Sequence, residues 1–227
     1  MPIEFIYHVH PHLDIAVWDI TESVEELRTP LILNQQEEKE LAAITHDRSK
    51  KQWLGARNLL RAVLKKRNQV MYNPLGVPSL KDNAAHISLS HSGYKVALSS
   101  NKKFETGVDI QNYTEKIQNI EDKFCSEDEK NWMPKNEERM SYLHLLWGVK
   151  ESLFKYYTTQ MPFTSVTALP FDLKNEGKIE AIRKREGELD AFHLSYRIFN
   201  DYFLVYLKDI ISSEQCAKQN ISQEKAR

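Results

Sequence analysis

The chain has 227 residues, of which 31 are Lys or Arg and 32 are Asp or Glu, and its formal net charge is −1. Hydrophobic residues make up 41% of it, which is enough for a core and excludes wholesale disorder. The near-zero net charge excludes a general nucleic-acid coat or a polybasic membrane binder, although a local basic site stays open. The length fits one large or two small domains.

The cysteines and the N-terminal sequence bear on the compartment. Cys125 and Cys216 lie far apart without metal-ligand spacing, so neither a disulfide scaffold nor a zinc ribbon is expected. The first residues show no basic region followed by an apolar one, and no stretch reaches the ~20 apolar residues of a membrane span. We expect a soluble, cytoplasmic protein of a reducing compartment.

The first part of the chain alternates between strands and helices. A polar segment of helical character, 35–44, precedes a strongly periodic helix at 48–66, for which Asp47 is the predicted N-cap. Proline and glycine predict a loop at 73–78, and Ser92-Gly93 predicts a hairpin turn. The predicted strands lie at 3–9, 13–20, 85–89, 94–99 and 105–110.

The second part begins with helices and ends in strands. Ser126 and Glu129 form a capping-box pattern, and a longer helix is predicted at 138–156. Asn200-Asp201 predicts the turn of the last hairpin. The predicted strands lie at 171–173, 179–182, 192–199 and 202–207.

This order predicts an α+β fold rather than βαβ alternation. We expect an N-terminal α+β half at 1–104, a C-terminal α+β half at 105–211, and a polar, frayed tail at 212–227. No sequence repeat relates the two halves.

The segment Thr106-Gly107-Val108-Asp109-Ile110-Gln111 offers oxygen ligands. Alternate side chains of a strand share one face, so Asp109 and Gln111 should point together. A carboxylate and an amide oxygen suit Mg²⁺, which takes one or two protein carboxylates and completes its shell with water and phosphate. The alternative is a solvated acidic residue near a strand end.

A second constellation lies on the predicted helix at 138–156. Glu151 and Lys155 are four residues apart and therefore share a face, while Trp147 would anchor the helix. Glu151 could bind a metal or act as a base, and Lys155 could bind a phosphate. The alternative is an exposed ion pair, worth ~0.3–0.5 kcal/mol.

Two further segments carry groups that suit phosphate. Arg57, Arg61 and Lys65 form one basic stripe on the helix at 48–66, which is either a solvated face or a grip for several phosphates. Ser90 and His91 end a strand in a small polar turn that could hold an anionic oxygen. No Gly-x-Ser-x-Gly elbow supports a hydrolase.

The alternating histidines near the N-terminus resemble half of a metal site. His8, His10 and His12 would lie on one side of an extended chain, but Pro11 breaks the strand. Asp14 is the nearest acidic residue and no cysteine completes a tetrahedral set, so we expect no functional metal there.

Taken in order, these motifs resemble the 4′-phosphopantetheinyl transferases of the larger, surfactin-synthetase-activating type. The signatures of that family are a Gly-(Ile/Val)-Asp core and a Trp-(Ser/Thr/Cys/Gly)-x-Lys-Glu-(Ala/Ser)-x-x-Lys core. This chain has Gly107-Val108-Asp109 and Trp147 to Lys155, preceded by Ser90-His91 and the helix that carries Arg57.

The resemblance implies a fold, a reaction and partners. The fold would be a pseudo-dimer of two similar α+β subdomains with the active site in the cleft between them. The reaction would move the 4′-phosphopantetheine arm of coenzyme A to a serine of an apo acyl or peptidyl carrier protein, releasing 3′,5′-ADP. We expect a monomer that requires Mg²⁺ and binds neither nucleic acid nor a membrane.

Metal and catalytic roles follow by motif position. The resemblance makes Asp109 and Glu151 ligands of Mg²⁺, and Gln111 stands where many members have a further acid. Glu151 and Lys155 would be the catalytic pair, with Lys155 stabilising the pyrophosphate as charge develops on the leaving group.

Coenzyme A would be held by three residues that precede the two family signatures and by the last residue of the second signature. Arg57, Ser90 and His91 would contact its phosphates, with His91 suited to the 3′-phosphate, and Lys155 would contact the pyrophosphate.

Two departures from the family keep other functions open. Gln111 is a neutral and weaker ligand than an acid, and Val77 replaces the lysine of a Gly-Lys-Pro motif, for which Lys81 is the nearest substitute. A non-catalytic module that binds coenzyme A or a carrier protein is the main alternative. An unrelated nucleotide-binding protein is the other, but no P-loop or Rossmann glycine pattern supports it.

Overall fold

A computed structural model describes residues 3–66, 69–158, 161–185 and 188–211. Their contacts divide the chain into two units, Met1–Asn112 and Tyr113–Arg227. Helices and antiparallel sheets occur in both, which confirms the predicted α+β class. The predicted tail at 212–227 and Cys216 within it lie outside the described residues.

The first unit packs one long helix on a sheet. Its strands are β1 (Ile3–His10), β2 (Leu13–Asp19), β3 (Val70–Tyr72), β4 (Pro78–Leu80), β5 (His86–Ser92), β6 (Lys95–Asn101) and β7 (Val108–Asn112). Its helices are α1 (Val24–Arg28), α2 (Gln35–Ala43) and α3 (Asp47–Leu64). The sheet order is β1-β2-β6-β5, all antiparallel, and β3 and β4 form a separate hairpin.

Helix α3 forms because its apolar residues recur at helical spacing and face the sheet. Leu54, Leu59 and Leu60 are buried in one cluster with Trp18 and Val96. The helix ends where Lys65 adopts a left-handed conformation with φ of 52°.

The predicted N-cap of α3 is wrong by one position. Asp47 is the first helical residue and His46 is the N-cap, which makes no side-chain capping hydrogen bond. The carboxylate of Asp47 instead lies in the first turn, where it interacts favourably with the helix dipole.

The second unit has the same kinds of element in another order. Its helices are η1 (Glu115–Ile120, 3₁₀), α4 (Glu121–Phe124), α5 (Glu127–Trp132), α6 (Arg139–Tyr157) and η2 (Phe163–Ser165, 3₁₀). Its strands are β8 (Val166–Ala168), β9 (Glu176–Arg185), β10 (Glu188–Ile198) and β11 (Tyr202–Ile211). The strands pair antiparallel in the order β8-β9-β10-β11.

Helix α6 supplies much of the core of this unit. Leu146, Val149 and Leu153 are fully buried in one cluster with Leu194 and Val205 of the sheet. The capping box of Ser126 and Glu129 that the sequence predicts is present and opens α5.

The predicted strand at 171–173 is wrong, and the strand that pairs with β9 at this point is β8. Backbone groups of this segment bond to side chains instead of a neighbouring strand. Tyr142 donates its hydroxyl to the Phe171 carbonyl at 3.0 Å, and Tyr196 donates to the Asp172 carbonyl at 3.2 Å. Side-chain partners of this kind compete with strand pairing.

The loop predicted at 73–78 joins β3 and β4, which are too short for a periodic pattern to reveal. Asn73 stabilises the loop, because its side chain accepts from the backbone N–H groups of Leu75 and Val77.

None of the helices in the described part of the chain combines the length and apolar character that a membrane span needs.

Candidate functional site

Three alternate serines of β5 contact β7. Ser88 Oγ accepts from the Val108 N–H at 3.2 Å, and Ser92 Oγ accepts from the Asn112 N–H at 3.0 Å. Between them, Ser90 Oγ donates to Asp109 Oδ1 at 2.8 Å. Because alternate residues of a strand share a face, one strand presents all three hydroxyls to β7. We call these residues the serine row.

The serine row borders a cavity of about 340 Å³ within the first unit, which we call the serine–histidine cavity. Its walls come from α3, from the β3–β4 hairpin and from the end of β5. The lining residues with polar groups or aromatic rings are Ser49, Gln52, Trp53, Arg57, Tyr72, Ser90 and His91. The cavity therefore brings together Arg57, Ser90 and His91, the three residues predicted from this unit to bind coenzyme A.

A hydrogen bond holds two walls of the cavity together. Gln52 Nε2 donates to the Gly93 carbonyl at 2.9 Å, which ties α3 to the turn between β5 and β6. Gly93 has φ of +56°, a conformation that favours glycine. Ser90 is buried and His91 is exposed, as strand alternation requires.

Arg57 is more constrained than the sequence suggests. Its side chain is 4% exposed, its Nη2 lies 3.3 Å from Glu40 Oε2, and its Nε lies 3.6 Å from Glu37 Oε1. The guanidinium also lies 3.0 Å from the centroid of the Trp53 ring. Burial lowers the pKa of Arg57, while Tyr72 and the two carboxylates raise it. A phosphate at Arg57 would have to share the guanidinium with both carboxylates.

The basic stripe predicted on α3 is divided between two environments. Arg57 borders both the serine–histidine cavity and a second cavity of the same unit, whereas Arg61 and Lys65 border only the second cavity. Arg61 donates to the Pro30 carbonyl there. Lys81 lies just beyond β4, is exposed and is not among the residues that line the serine–histidine cavity.

In the second unit, packing fixes the rotation of α6. The ring of Trp147 makes edge contacts with Phe124 at 5.3 Å and with Phe163 at 5.4 Å. Ser152 Oγ donates to the Val205 carbonyl at 3.1 Å. These contacts support the expectation that Trp147 anchors the helix.

A fully buried ion pair adds to this anchorage. Lys150 Nζ lies 2.7 Å and 2.9 Å from the two oxygens of Glu129 and also donates to the Val166 carbonyl. Glu129 accepts from the Ala168 N–H at 2.8 Å. Burial lowers the pKa of Lys150, and Glu129 raises it. The pair joins α6 to α5 and β8.

Glu151 and Lys155 lie on the face of α6 that solvent reaches. Their side chains are 23% and 24% exposed, and Lys155 Nζ lies 4.0 Å from Glu151 Oε2. The prediction that the two share a helix face is therefore confirmed. The separation of 4.0 Å is at the upper limit for an ion pair, so their mutual attraction is weak.

The donor atoms present fit Mg²⁺ in kind. In the first unit, Asp109 is buried on β7 and Gln111 lies two residues further along the same strand; in the second unit, α6 carries the Glu151 carboxylate. Carboxylate and amide oxygens are the ligands that Mg²⁺ prefers. Among the described residues, no cluster of three or more His, Cys, Asp or Glu could hold a metal by itself.

The N-terminal histidines lie on β1 and in the turn that follows it. His8 Nδ1 lies 2.5 Å from Asp14 Oδ1, with the His8 side chain 79% exposed. The pairing of β1 with β2 shifts register between His8 and His10, so the alternation is broken.

The sequence interpretation missed the partners that fix the key side chains. Glu37 and Glu129 each follow an N-cap residue by three positions, and both capping boxes were visible as patterns. Their second role, pairing with Arg57 and with Lys150, depends on tertiary contacts that no local pattern encodes. Tyr72 was missed because its strand is only three residues long.

Comparison with known families finds a match for the second part of the chain. Residues 105–207, somewhat less than half of the chain, match the model of the 4′-phosphopantetheinyl transferase superfamily. This match confirms the predicted resemblance at the level of the superfamily, for that segment. No curated protein matches the chain.

Proposed function

We propose that this protein transfers the 4′-phosphopantetheine arm of coenzyme A to a serine of an apo carrier protein. The observation that carries the proposal is the superfamily match over residues 105–207, which includes Asp109, Glu151 and Lys155. The serine–histidine cavity supports it, because Ser90, His91 and Arg57 border one space. The activity would be that of a holo-[acyl-carrier-protein] synthase of the larger, surfactin-synthetase-activating type.

The proposed reaction is a substitution at phosphorus. The carrier serine oxygen bonds to the phosphorus that bears pantetheine, the anhydride P–O bond breaks, and 3′,5′-ADP leaves. Glu151 accepts the proton of the serine hydroxyl. Lys155 neutralises charge on the leaving pyrophosphate oxygen, a contact worth about 10²–10³ in rate.

Different residues would bind the phosphates of coenzyme A and the metal ion. Ser90 and His91 would contact its phosphates, with His91 at the 3′-phosphate and Arg57 nearby. Asp109, Glu151 and, in third place, Gln111 would hold Mg²⁺. When bound, Mg²⁺ would supply positive charge to the pyrophosphate, as metal ions do in phosphoryl transfer.

An intact-mass assay tests the proposal. The full chain is incubated with coenzyme A, Mg²⁺ and a panel of apo carrier proteins from fatty-acid, polyketide, peptide and lysine pathways. We expect at least one carrier to gain the mass of one phosphopantetheine arm. A panel without any mass gain, with an established transferase active in parallel, would contradict the proposal.

The variant Glu151→Gln tests the catalytic assignment. It keeps the shape of the side chain but cannot accept a proton, so we expect transfer to be abolished while the thermal unfolding midpoint stays unchanged. The control is Glu127→Gln, whose side chain is 81% exposed and pairs with Lys130. Full activity of Glu151→Gln would remove Glu151 from the mechanism.

A non-catalytic module that binds coenzyme A or a carrier protein is the second candidate. Two observations favour it: Gln111 replaces an acid, and Arg57 is already paired with Glu37 and Glu40. Calorimetry separates the two candidates, because saturable coenzyme A binding without turnover on any carrier would support the module.

The setting of the enzyme is part of the proposal. We place it in the cytoplasm as a monomer, where coenzyme A and apo carrier proteins meet. Its partner is the carrier protein, with no role for nucleic acid or a membrane. Size-exclusion chromatography with light scattering tests the monomer.

A further inference from the structure

The first unit contains a second cavity, larger than the one assigned to coenzyme A. Its volume is about 650 Å³, against about 340 Å³ for the serine–histidine cavity. Segment 30–33 and the C-terminal half of α3 form its walls, so we call it the α3 cavity. Sites for small molecules span about 300–1,000 Å³. The proposed transfer assigns no ligand to this space.

The walls of the α3 cavity are mainly apolar. Trp18, Leu31 and Leu60 line it and belong to the buried core, so this part of the surface is held firmly. Ile32 also lines it but is 73% exposed. A large aliphatic side chain beside an apolar cavity adds surface that a ligand chain can cover.

The charges around the α3 cavity are mainly positive. Four of its lining residues are cationic and one, Glu37, is acidic. Arg57 is paired with Glu37 at 3.6 Å. The remaining cations, Arg61, Lys65 and Lys66, lie at the C-terminal end of α3.

The ion pair of Lys66 does not cancel this charge. Lys66 lies 2.7 Å from Asp82, but the two side chains are 48% and 44% exposed. Exposed pairs of this kind contribute little and exchange partners easily. A local excess of positive charge in a chain of net charge −1 is complementary to an anionic ligand.

We propose that the α3 cavity binds an amphipathic anion, a single apolar chain that ends in a carboxylate or a similar anionic group. The chain would lie against Leu31, Ile32 and Leu60, and the anionic end would meet Arg61 and Lys65. Apolar walls favour the chain and the cationic rim selects the charged end. This binding goes beyond the proposed transfer and requires neither coenzyme A nor Mg²⁺.

Isothermal titration calorimetry of the full chain with decanoate, below its micelle concentration, tests the proposal. We expect saturable binding to one site. Decanol supplies the chain without the charge, and acetate supplies the charge without the chain, so each should bind at least tenfold more weakly. Absence of saturable decanoate binding, or equal binding of decanol, would overturn the proposal.

Two pairs of variants locate the site. Ile32→Asp and Lys65→Glu place negative charge at the cavity and should each weaken decanoate binding at least tenfold. Leu75→Asp and Lys102→Glu make the same changes at exposed positions that do not line the cavity, and both should bind as the wild type does. Thermal unfolding checks that all four fold. Unchanged binding in both cavity variants would place the ligand elsewhere and overturn the assignment.

The outcome is separable from that of the transferase proposal. Ile32 and Lys65 have no role in the proposed transfer, so their variants should keep the mass-gain activity. Transfer without decanoate binding would overturn only the α3 cavity site. Decanoate binding without transfer on any carrier would contradict only the proposed enzyme.

Discussion

Ser90 takes part in two environments at once, because it lines the serine–histidine cavity and donates to the buried carboxylate of Asp109. Its neighbours in the serine row, Ser88 and Ser92, accept from backbone N–H groups of β7 and do not line the cavity. The hydroxyl of Ser90 therefore connects the predicted phosphate contact with the predicted metal ligand. A change at Ser90 should alter both.

Replacing Ser90 with Ala should raise the KM for coenzyme A about tenfold, the effect of one lost hydrogen bond to a charged group. It should also remove a donor to Asp109 and so reduce apparent Mg²⁺ affinity. Steady-state kinetics at varied coenzyme A and Mg²⁺ measure both effects. Ser92→Ala, which deletes a hydroxyl of the same row outside the cavity, is the control. Equal kinetic effects of the two variants would mean that Ser90 acts only through the fold.

His144 is a buried base in the second unit. Its ring stacks on Phe203 at 4.5 Å and 6°, and its Nε2 accepts from the Thr114 N–H at 3.1 Å. Burial lowers the pKa of His144 to about 4 from the ordinary value of 6.5. The folded protein therefore holds this ring neutral in mildly acidic solution, where an unfolded chain would protonate it.

This difference predicts a loss of stability as the pH falls. Below about pH 6.5 His144 binds a proton in the unfolded chain but not in the folded protein. The free energy of unfolding therefore decreases as the pH falls, until the pH reaches the folded-state pKa of about 4. The contribution of His144 to the loss is about 3 kcal/mol. Urea denaturation at several pH values measures it. His144→Phe should flatten this part of the profile, whereas the exposed His46→Ala should not; parallel profiles for wild type and His144→Phe would contradict the assignment.

The two long helices, α3 with 18 residues and α6 with 19, are secured by similar means. In each unit, the capping-box glutamate of a preceding short helix pairs with a buried cation of the long helix. Glu37 of α2 lies 3.6 Å from Arg57, and Glu129 of α5 lies 2.7 Å from Lys150. Each of these carboxylates thus caps the N-terminus of a short helix and also forms an ion pair with the long helix of its unit.

Breaking the pair of Glu129 and Lys150 should be costly. Glu129→Gln leaves a buried ammonium without its counter-charge, so we expect a loss of about 3–5 kcal/mol in the free energy of unfolding. The double variant Glu129→Leu with Lys150→Met should recover most of it, because apolar replacement of both partners removes the buried charges. Urea denaturation measures both. A double variant as unstable as the single one would show that the hydrogen bonds to β8, not the charges, dominate.

Periodic elements were predictable from sequence, and short or tertiary ones were not. The spacing of apolar residues in α3 and α6 encodes their burial directly, and turn residues such as Gly93 encode the hairpins. The segment at 171–173 was misassigned because its aromatic and apolar composition matches a strand, while its backbone partners are distant tyrosine hydroxyls. For the site, the family resemblance implied that Arg57, Ser90 and His91 act together, but the carboxylates around Arg57 could be found only from the fold.

Over the whole molecule, local charge matters more than the total. A net charge of −1 gives little long-range attraction for coenzyme A, so the proposed binding must come from a few placed cations and a metal ion. Both units contribute named residues to that proposal. A ligand that binds only the folded state stabilises it, so coenzyme A should stabilise the folded protein.

Saturating coenzyme A with Mg²⁺ should raise the unfolding midpoint. At a hundredfold excess over Kd the stabilisation is about 2.7 kcal/mol. Differential scanning fluorimetry, with and without a chelator, separates the metal-dependent part. Asp109→Asn should lose that part and keep the rest, while Asp122→Asn, whose parent side chain is 92% exposed, should keep both. An identical metal-dependent shift in Asp109→Asn would remove Asp109 from the ligand set.

The stacking of Arg57 on Trp53 gives the molecule an internal optical reporter. The guanidinium lies against the indole ring at the wall of the serine–histidine cavity, so its positive charge acts on the indole. An anion that draws Arg57 toward itself would move a positive charge relative to the indole and change its emission. The Trp53 contribution to the tryptophan emission should therefore change when an anion occupies a cavity that Arg57 lines, without any attached label.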